Sequence, residues 1–418
     1  MENENYFNFI ITGANWGDEG KGHVANWLRL VNSSAITKQS MIGIKHNGGP
    51  QMGHTSNGHV WHTYCSADIK TYLHSSFIFN PFSFNKETMD LTIKFQKVPY
   101  QVYIHSNCRI TTPIDILINH VIETKRSKGK HGSCGMGIHA TIERDKTLPL
   151  TVFEAMYAMT DINKQEFTKK LITYYKGFEY AIRDIPEQFQ NLDYEHLMQD
   201  FWKECEKASA DLIMIKNDQK AVDLLNEHEF RIFEGGQGLM LDRDNEESYP
   251  YVTPSKTDST NPVQILSLPK MKIGQIFPLY ISRIFTTKHG AGPFPLEIKK
   301  KNKLIKLIKS LDKTNIPNEW QDSIRIGAFD ESIIDRIKKD FDNYEKNFPS
   351  LKNTISPELI VTWNDISPTK REIINKDGEF YDIKEFLLKC YTNGIHVRFL
   401  PTKTEYEIGL FKNNYKED

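Results

Sequence analysis

The chain has 418 residues, and its 53 lysines and arginines against 54 aspartates and glutamates leave a net charge of −1. That balance gives no bulk attraction to nucleic acid or to an anionic membrane. Five cysteines, Cys65, Cys108, Cys134, Cys205 and Cys390, are odd in number and scattered without a Cys-x-x-Cys pair, which argues against a disulfide framework or a zinc site. No basic segment leading into a long apolar run opens the sequence, and no stretch reaches about 18 consecutive apolar residues. The expectation is a soluble, reduced, cytoplasmic protein, long for one domain but compatible with one large α/β domain.

The apolar run Phe7 to Ile11 reads as a strand that breaks at Gly13. It enters the loop Trp16-Gly17-Asp18-Glu19-Gly20-Lys21-Gly22, and Val24 to Leu28 continues as helix. Strand, glycine loop and helix favour a bound phosphate, because N–H groups at a helix start face the anion and glycine permits close approach. The usual phosphate loop has two glycines five apart and then Lys-Ser/Thr. Here position 15 is Asn and Gly22 follows Lys21, so no hydroxyl is offered to Mg²⁺. A carboxylate, Asp18, sits inside the loop instead. Such an anion repels phosphate unless a metal or a reaction needs it.

Met41 to Lys45 predicts a second strand, feeding a loop from Asn47 to Thr55 that is too glycine-rich for helix. Tyr100 to His105 alternates like a strand, Ile114 to Lys125 has helical spacing, and Lys128 to Ile138 is another glycine loop. From Lys164 to about Leu225 the chain is charged, aromatic and poor in glycine, which predicts a helical outer layer, a mostly helical insertion at about 160–226. Phe230 to Phe233 reads as a buried strand ending at Glu234-Gly235-Gly236-Gln237-Gly238, and Ile276 to Ile284 as a strand leading to Thr286 through Pro295. Later strands are expected at Leu359 to Val361 and Ile395 to Leu400. Such alternation describes an α/β fold on a large, mainly parallel sheet, with ligands at the carboxyl ends of the strands. Without internal repeat or low-complexity linker, residues 1–418 are expected to form a single domain.

Two stretches carry chemistry less well. The basic run from Lys299 to Lys309, interleaved with Leu304, Ile305, Leu307 and Ile308, predicts an amphipathic helix with a solvated basic face rather than a nucleic-acid patch. The aromatic residues from Tyr174 to Tyr180 fit core packing better than base stacking.

Taken in order, WGDEGKG, GGPQMGHT, GSCGMGI, FEGGQGLMLD with SYPYVT, and HGAGPFPLE closely resemble adenylosuccinate synthetase, from Trp16 to about Asp365. The resemblance implies a P-loop-like nucleotide-dependent ligase fold and a homodimer. It also implies a reaction that couples a 6-oxopurine nucleotide such as IMP to aspartate, using GTP and Mg²⁺. Asp18 matches the family's catalytic base, which takes the proton from purine N1 so that O6 can be phosphorylated. His54 matches its catalytic acid toward the oxygen bridging the β- and γ-phosphates. Lys21, with Gly17, Glu19, Gly20, Gly22 and Thr55, would hold the triphosphate. Asp18 and Gly53 would help hold Mg²⁺ in an oxygen-rich, open shell. Gln51, Gln237, Thr253, Ser133 and Cys134 match positions around the purine monophosphate, and Arg144 is the candidate for an arginine that reaches across the dimer. His46, His62 and His289 are read as ordinary surface loop histidines.

Several positions depart from the family. Gln51 stands where asparagine is usual, and its longer amide suits a differently substituted purine. His23 replaces a lysine, and Lys288 replaces an arginine in the nucleotide site, keeping charge without bidentate geometry. The aspartate-binding loop is represented by Thr314, Asn315 and Arg325, with Ser323 where a further arginine is usual, although two carboxylates favour paired arginine forks. In the base-reading segment, Asp365 keeps the acceptor for guanine N–H groups while Trp363 replaces a lysine, so ATP is an alternative to GTP. The later cap appears as Pro401-Thr402-Lys403-Thr404. These changes resemble the phage-type branch that makes 2-amino-2′-deoxyadenylosuccinate from dGMP. A nucleotide-sensing protein without catalysis is a third reading, opposed by the retention of Asp18, Lys21, His54 and Gln237.

Overall fold

The computed structural model describes residues 6–401, apart from 34–36, 38–39, 97–98, 127–129, 300–301, 313–319 and 321–322. Nine strands form one sheet: β1 (Phe7–Gly13), β2 (Met41–Lys45), β3 (Lys70–Leu73), β4 (Val102–His105), β5 (Leu212–Ile215), β6 (Phe230–Gly238), β7 (Gln275–Arg283), β8 (Glu358–Thr362) and β9 (His396–Leu400). Their order is β9-β8-β7-β1-β6-β2-β3-β4-β5, and each neighbouring pair is parallel. Parallel strands are covered on both faces, which is why β1, β2 and β8 read as continuous apolar text and not as alternation. Ile10, Ile11, Ile232, Phe233, Ile281 and Ile360 are all fully buried.

The helices are α1 (Lys21–Asn32), α2 (Pro81–Phe95), α3 (Pro113–Arg126), α4 (Ile138–Asp145), α5 (Asp161–Ile182), α6 (Tyr194–Asp211), α7 (Asp218–Asn226), α8 (Thr260–Leu266), α9 (Lys303–Leu311), α10 (Ile333–Asn347) and α11 (Lys384–Thr392). Among the described residues, no helix is long and apolar enough to cross a membrane. Beyond β4, helices α2, α3, α5 and α6 enclose a large apolar cluster that includes Phe84, Leu117, Val121, Leu171 and Phe201. Tyr175 belongs to this cluster and Tyr174 and Phe178 pack against it, whereas Tyr180 is exposed, so most of the aromatic run serves core packing. In α9, Asn302 caps the start by accepting from Leu304 N at 2.7 Å, and Ile305 and Ile308 are buried, as an amphipathic helix requires.

The strands expected from the sequence form, and the segment at 160–226 is mostly helical as expected, with one strand that the sequence did not announce. It is α5, α6, β5 and α7, and β5 pairs with β4 as the ninth strand. Leu212-Ile213-Met214-Ile215 lies between two helices, and four apolar residues carry too little periodicity to separate strand from helix. The segment therefore completes the edge of the sheet in addition to layering over it.

Asp340 fastens α10 to the sheet. Its buried carboxylate accepts from Ser259 N (2.8 Å), Ser259 Oγ (2.7 Å) and the Tyr280 hydroxyl of β7 (2.7 Å). Burial pushes its pKa up to about 6 against those donors. Because this lies above the ordinary value, the stability tied to the protonated form is complete at acid pH and is lost as the pH rises through 6. The stability advantage of wild type over Asp340→Asn should therefore shrink by on the order of 3 kcal/mol between about pH 4 and pH 7. Urea unfolding of both proteins at both pH values measures it, and a gap that widens with pH contradicts the assignment.

Candidate functional site

The loop after β1 opens the site at the carboxyl edge of the sheet. Gly17 (φ 106°), Asp18 (φ 61°) and Gly20 (φ 99°) take left-handed backbone, a region open to glycine and tolerated by aspartate. Glu19 folds back into this loop. Its Oε1 accepts from Asn15 N (3.1 Å) and Gly17 N (2.7 Å), and its Oε2 accepts from Lys21 Nζ (3.0 Å). The Glu19 side chain thus shapes the loop from within, which leaves its backbone N–H, and not its carboxylate, as the group a phosphate could meet. It also fixes Lys21 at the first turn of α1. Gly22 likewise serves packing: a Cβ there would lie 2.7 Å from His54 Cβ.

Asp18 turns outward, and its Oδ2 accepts from His289 Nε2 at 2.6 Å. Burial alone would raise this carboxyl. The His289 contact, backed by Arg283 and Lys21, outweighs burial and holds it well below the usual carboxylate range. His289 is therefore misread as an ordinary surface histidine. So is His46, which is buried, and burial lowers it to about 3. His62 keeps a structural part, with Nδ1 2.7 Å from Pro50 O.

His54 begins a hairpin, His54–Ser56 against His59–Trp61, which also holds Thr55. Its Nδ1 lies 2.5 Å from Glu234 Oε1 on β6. Glu234 is wholly buried, pairs with Lys45 Nζ of β2 at 3.0 Å, and accepts from Ser66 N at 3.1 Å and from the Ser66 hydroxyl. Burial opposes its charge, but Lys45 and His54 hold Glu234 well below the carboxylate range. With Nδ1–H donating to that carboxylate, Nε2 is the nitrogen left for a ligand. Burial pulls His54 down to about 4 although Glu234 pushes back, so it is neutral at pH 7. The sequence reasoning misses Glu234 and Lys45. The signal for both is a charge closing an apolar strand, and the β2–β6 register sets the two directly opposite. Lys21 lies near enough to bias both Asp18 and His54, so the expected base, phosphate holder and acid share one edge.

Gln51 and Gln237 flank Gly48, where a Cβ would lie 3.0 Å from Gln51 Nε2 and 3.4 Å from Gln237 Oε1. Both Gln51 amide atoms and Gln237 Oε1 are buried without a hydrogen-bond partner among the described residues. Such groups are costly unless a ligand or water completes them. Ser133 Oγ accepts from Asn119 Nδ2 at 3.0 Å, and burial raises the neighbouring Cys134 thiol to about 11. Thr253 is held by its backbone, N to Leu241 O at 2.8 Å.

Arg144 is corrected outright. It is fully buried in α4 and donates to Asp115 (3.0 Å), Leu148 O (2.7 Å) and Ile110 O (2.8 Å). Its guanidinium pins α4 to α3 inside the protomer and does not reach a partner.

At the outer end, burial, with Arg325 nearby, lowers Lys288 to about 8. Arg325 forks onto Glu297 (3.1 and 2.6 Å) and donates to Gly292 O (2.9 Å). A carboxylate ligand must compete with Glu297 for it. Thr314 and Asn315, and Thr402 to Thr404 of the cap, lie outside the described residues. Asp365 follows β8; burial lowers the pKa of His23 against a hydrogen bond to the Pro401 backbone and the charge of Asp365. Trp363 offers a face to the Arg283 guanidinium at 4.8 Å. No cluster of three or more His, Cys, Asp or Glu among the described residues could hold a metal. One outward carboxylate, Asp18, and the exposed backbone of Gly53 fit an ion that takes most of its shell from water and phosphate, as Mg²⁺ does.

A family model for adenylosuccinate synthetase matches residues 10–335. The match stops before β8, so Trp363 and Asp365, the residues expected to read the base, lie beyond it. Adenylosuccinate synthetase of Hydrogenovibrio crunogenus is 27% identical over 303 residues, 70% of this chain and 64% of that protein. That of Parabacteroides distasonis is 26% identical over 304 residues, 69% of this chain and 65% of that protein. The chain thus spans about 65% of the length of these curated relatives. Cyanophage S-2L succinoaminodeoxyadenylate synthetase (PurZ), solved with dGMP and dATP as an energy donor, superposes with a TM-score of 0.54. That likeness covers 94% of this chain and 92% of that one at 14% identity, and concerns the fold.

Arg144→Ala should lower the free energy of unfolding by about 3–5 kcal/mol, because Asp115 is left buried and unpaired. Chemical denaturation measures this. Purine monophosphate affinity of the folded fraction, read by calorimetry, should not change; weaker binding at intact stability would return Arg144 to the ligand site.

Proposed function

The chain belongs to the adenylosuccinate synthetase family, and on that premise we propose that it is a carbon–nitrogen ligase. It joins a 6-oxopurine nucleoside monophosphate, IMP in the first reading, to L-aspartate, driven by GTP or ATP through a 6-phosphoryl purine, and gives adenylosuccinate. The observation that carries this is the convergence of Asp18, Lys21 and the Glu234-held His54 at one edge of the sheet. A cytoplasmic homodimer, with residues 1–418 as one domain, is part of the same reading.

In this mechanism Asp18 takes the N1 proton of the purine, and the electron pair moves to O6. O6 attacks the γ-phosphorus, and the β–γ bridging bond breaks. Lys21 and the loop amides hold the phosphates during transfer. His54 Nε2 delivers a proton to the bridging oxygen as its charge builds. A neutral resting His54 becomes protonated more readily once triphosphate charge lies beside it, the electrostatic converse of its depression by Lys21 and Lys45. The aspartate amine then adds at C6 and phosphate leaves, with loss of an amine proton. Mg²⁺, when bound through Asp18 and Gly53, spreads the negative charge of the transferring group.

A second reading, the same chemistry on dGMP, is favoured by Gln51. Its unpaired buried carbonyl is an acceptor that a purine 2-amino group would satisfy, whereas IMP has no such donor. The cyanophage synthetase of like fold was solved with dGMP, which makes dGMP a substrate to test beside IMP.

Phosphate release measured with IMP, dIMP, GMP and dGMP, each with GTP or ATP and with or without aspartate, tests these readings. Aspartate-dependent turnover of at least one monophosphate is expected. Turnover of dGMP without IMP selects the second reading, and nucleotide binding without turnover indicates a sensing protein. Asp18→Asn and His54→Ala should each reduce turnover by at least about 10²-fold. Activity within a few-fold of wild type would show that these roles are misassigned.

A further inference from the structure

His289 sits on the strand-end turn that follows the pair Thr286–Lys288 and Arg325–Gly327. Its Nε2 lies 2.6 Å from Asp18 Oδ2. One residue pair earlier, Thr287 Oγ1 donates to Gly17 O at 3.0 Å, so this segment grips the Asp18 loop by backbone and by side chain. The loop needs that grip. Asp18 has left-handed backbone beside Gly17, and nothing in such a glycine loop fixes a carboxylate rotamer by itself.

The other flank of His289 meets the loop that carries Ser133 and Cys134. Ala291 N donates to His131 O at 3.0 Å. A Cβ on Gly132 would lie 2.5 Å from Gly290 Cα, and one on Gly290 would lie 2.4 Å from His131 O. The two backbones touch with no room for a side chain between them. Arg325 Nη1, donating to Gly292 O at 2.9 Å, closes the turn from the far side. His289 is thus the side chain between the expected base and the backbone that leads into the monophosphate loop.

We propose that His289 is a positioning residue for Asp18: its N–H holds one carboxylate oxygen so that the other is aimed at purine N1, and the Gly132–Gly290 contact ties that aim to the monophosphate loop. A carboxylate accepts several hydrogen bonds, so the His289 contact leaves room for substrate and metal. The inference rests on the ligase reading above. It differs from that reading in assigning work to a residue that need touch no substrate.

Four proteins test it: His289→Val, which removes the donor; His289→Gln, whose amide N–H reaches a similar place; Asp18→Asn; and Asp18→Asn with His289→Val. In aspartate-dependent phosphate release, His289→Val should lower kcat by about 10- to 10²-fold with little change in KM for the triphosphate, and His289→Gln should restore most of the loss. In calorimetric binding of IMP and of dGMP, His289→Val should weaken wild type but add nothing to Asp18→Asn. A His289→Val enzyme within about two-fold of wild type, a Gln variant as poor as Val, or an equal further loss in the Asp18→Asn background would each overturn the proposal. Wild type that binds monophosphate without any turnover would refute the ligase reading instead, and the binding cycle alone would then decide the role of His289.

Discussion

One buried carboxylate, Glu234, holds the candidate site's edge of the sheet in shape. It ends an apolar strand at the point where register sets it opposite Lys45, and it takes up Ser66 and His54 with its remaining lone pairs. Removing these charges from water costs several kcal/mol per ion, and an apolar pair of similar volume often stabilises a core as well or better. What the charged set supplies is direction. It commits Nδ1 of His54 to the carboxylate, leaves Nε2 for a ligand, and ties the hairpin of His54 to the strand beside β1.

The remainder of the fold brings other groups to the same edge. Because the neighbouring strands are all parallel, their carboxyl ends lie on one side, and the loops after β1, β2, β6, β7 and β8 meet there. β1 lies between β6 and β7, so its glycine loop touches Gln237 on one side and Thr287 on the other. Helices far from this edge, such as α5 and α6, contribute by burying the flank of the sheet and by delivering β5 to it.

Much of this is legible in the sequence itself. Long apolar strands and glycine loops announce themselves by composition, and the order of the loops carried the family. β3 and β5 are hidden because Lys-Thr-Tyr-Leu and Leu-Ile-Met-Ile do not alternate, unlike the longer run that contains β4. The partners of His54 and Asp18 were hidden for a different reason. Glu234 and His289 are far from them in sequence, and only the fold brings them together: β6 carries Glu234 to His54, and the turn after β7 carries His289 to Asp18. Arg144 differs in the opposite sense: a charged residue near a motif looks like a ligand group, and burial turns it inward. The sequence alone does not state which way a charge faces.

The fork between Arg325 and Glu297 has a consequence for any acid that reaches this end of the site. Such a ligand does not meet an idle guanidinium; it trades places with a carboxylate already seated there. An exchange of like for like returns little net free energy, so a lone carboxylate gains almost nothing by displacing Glu297. Selection passes to whatever else the incoming molecule carries, and the arginine acts as a threshold that favours ligands bearing several polar groups over simple acids.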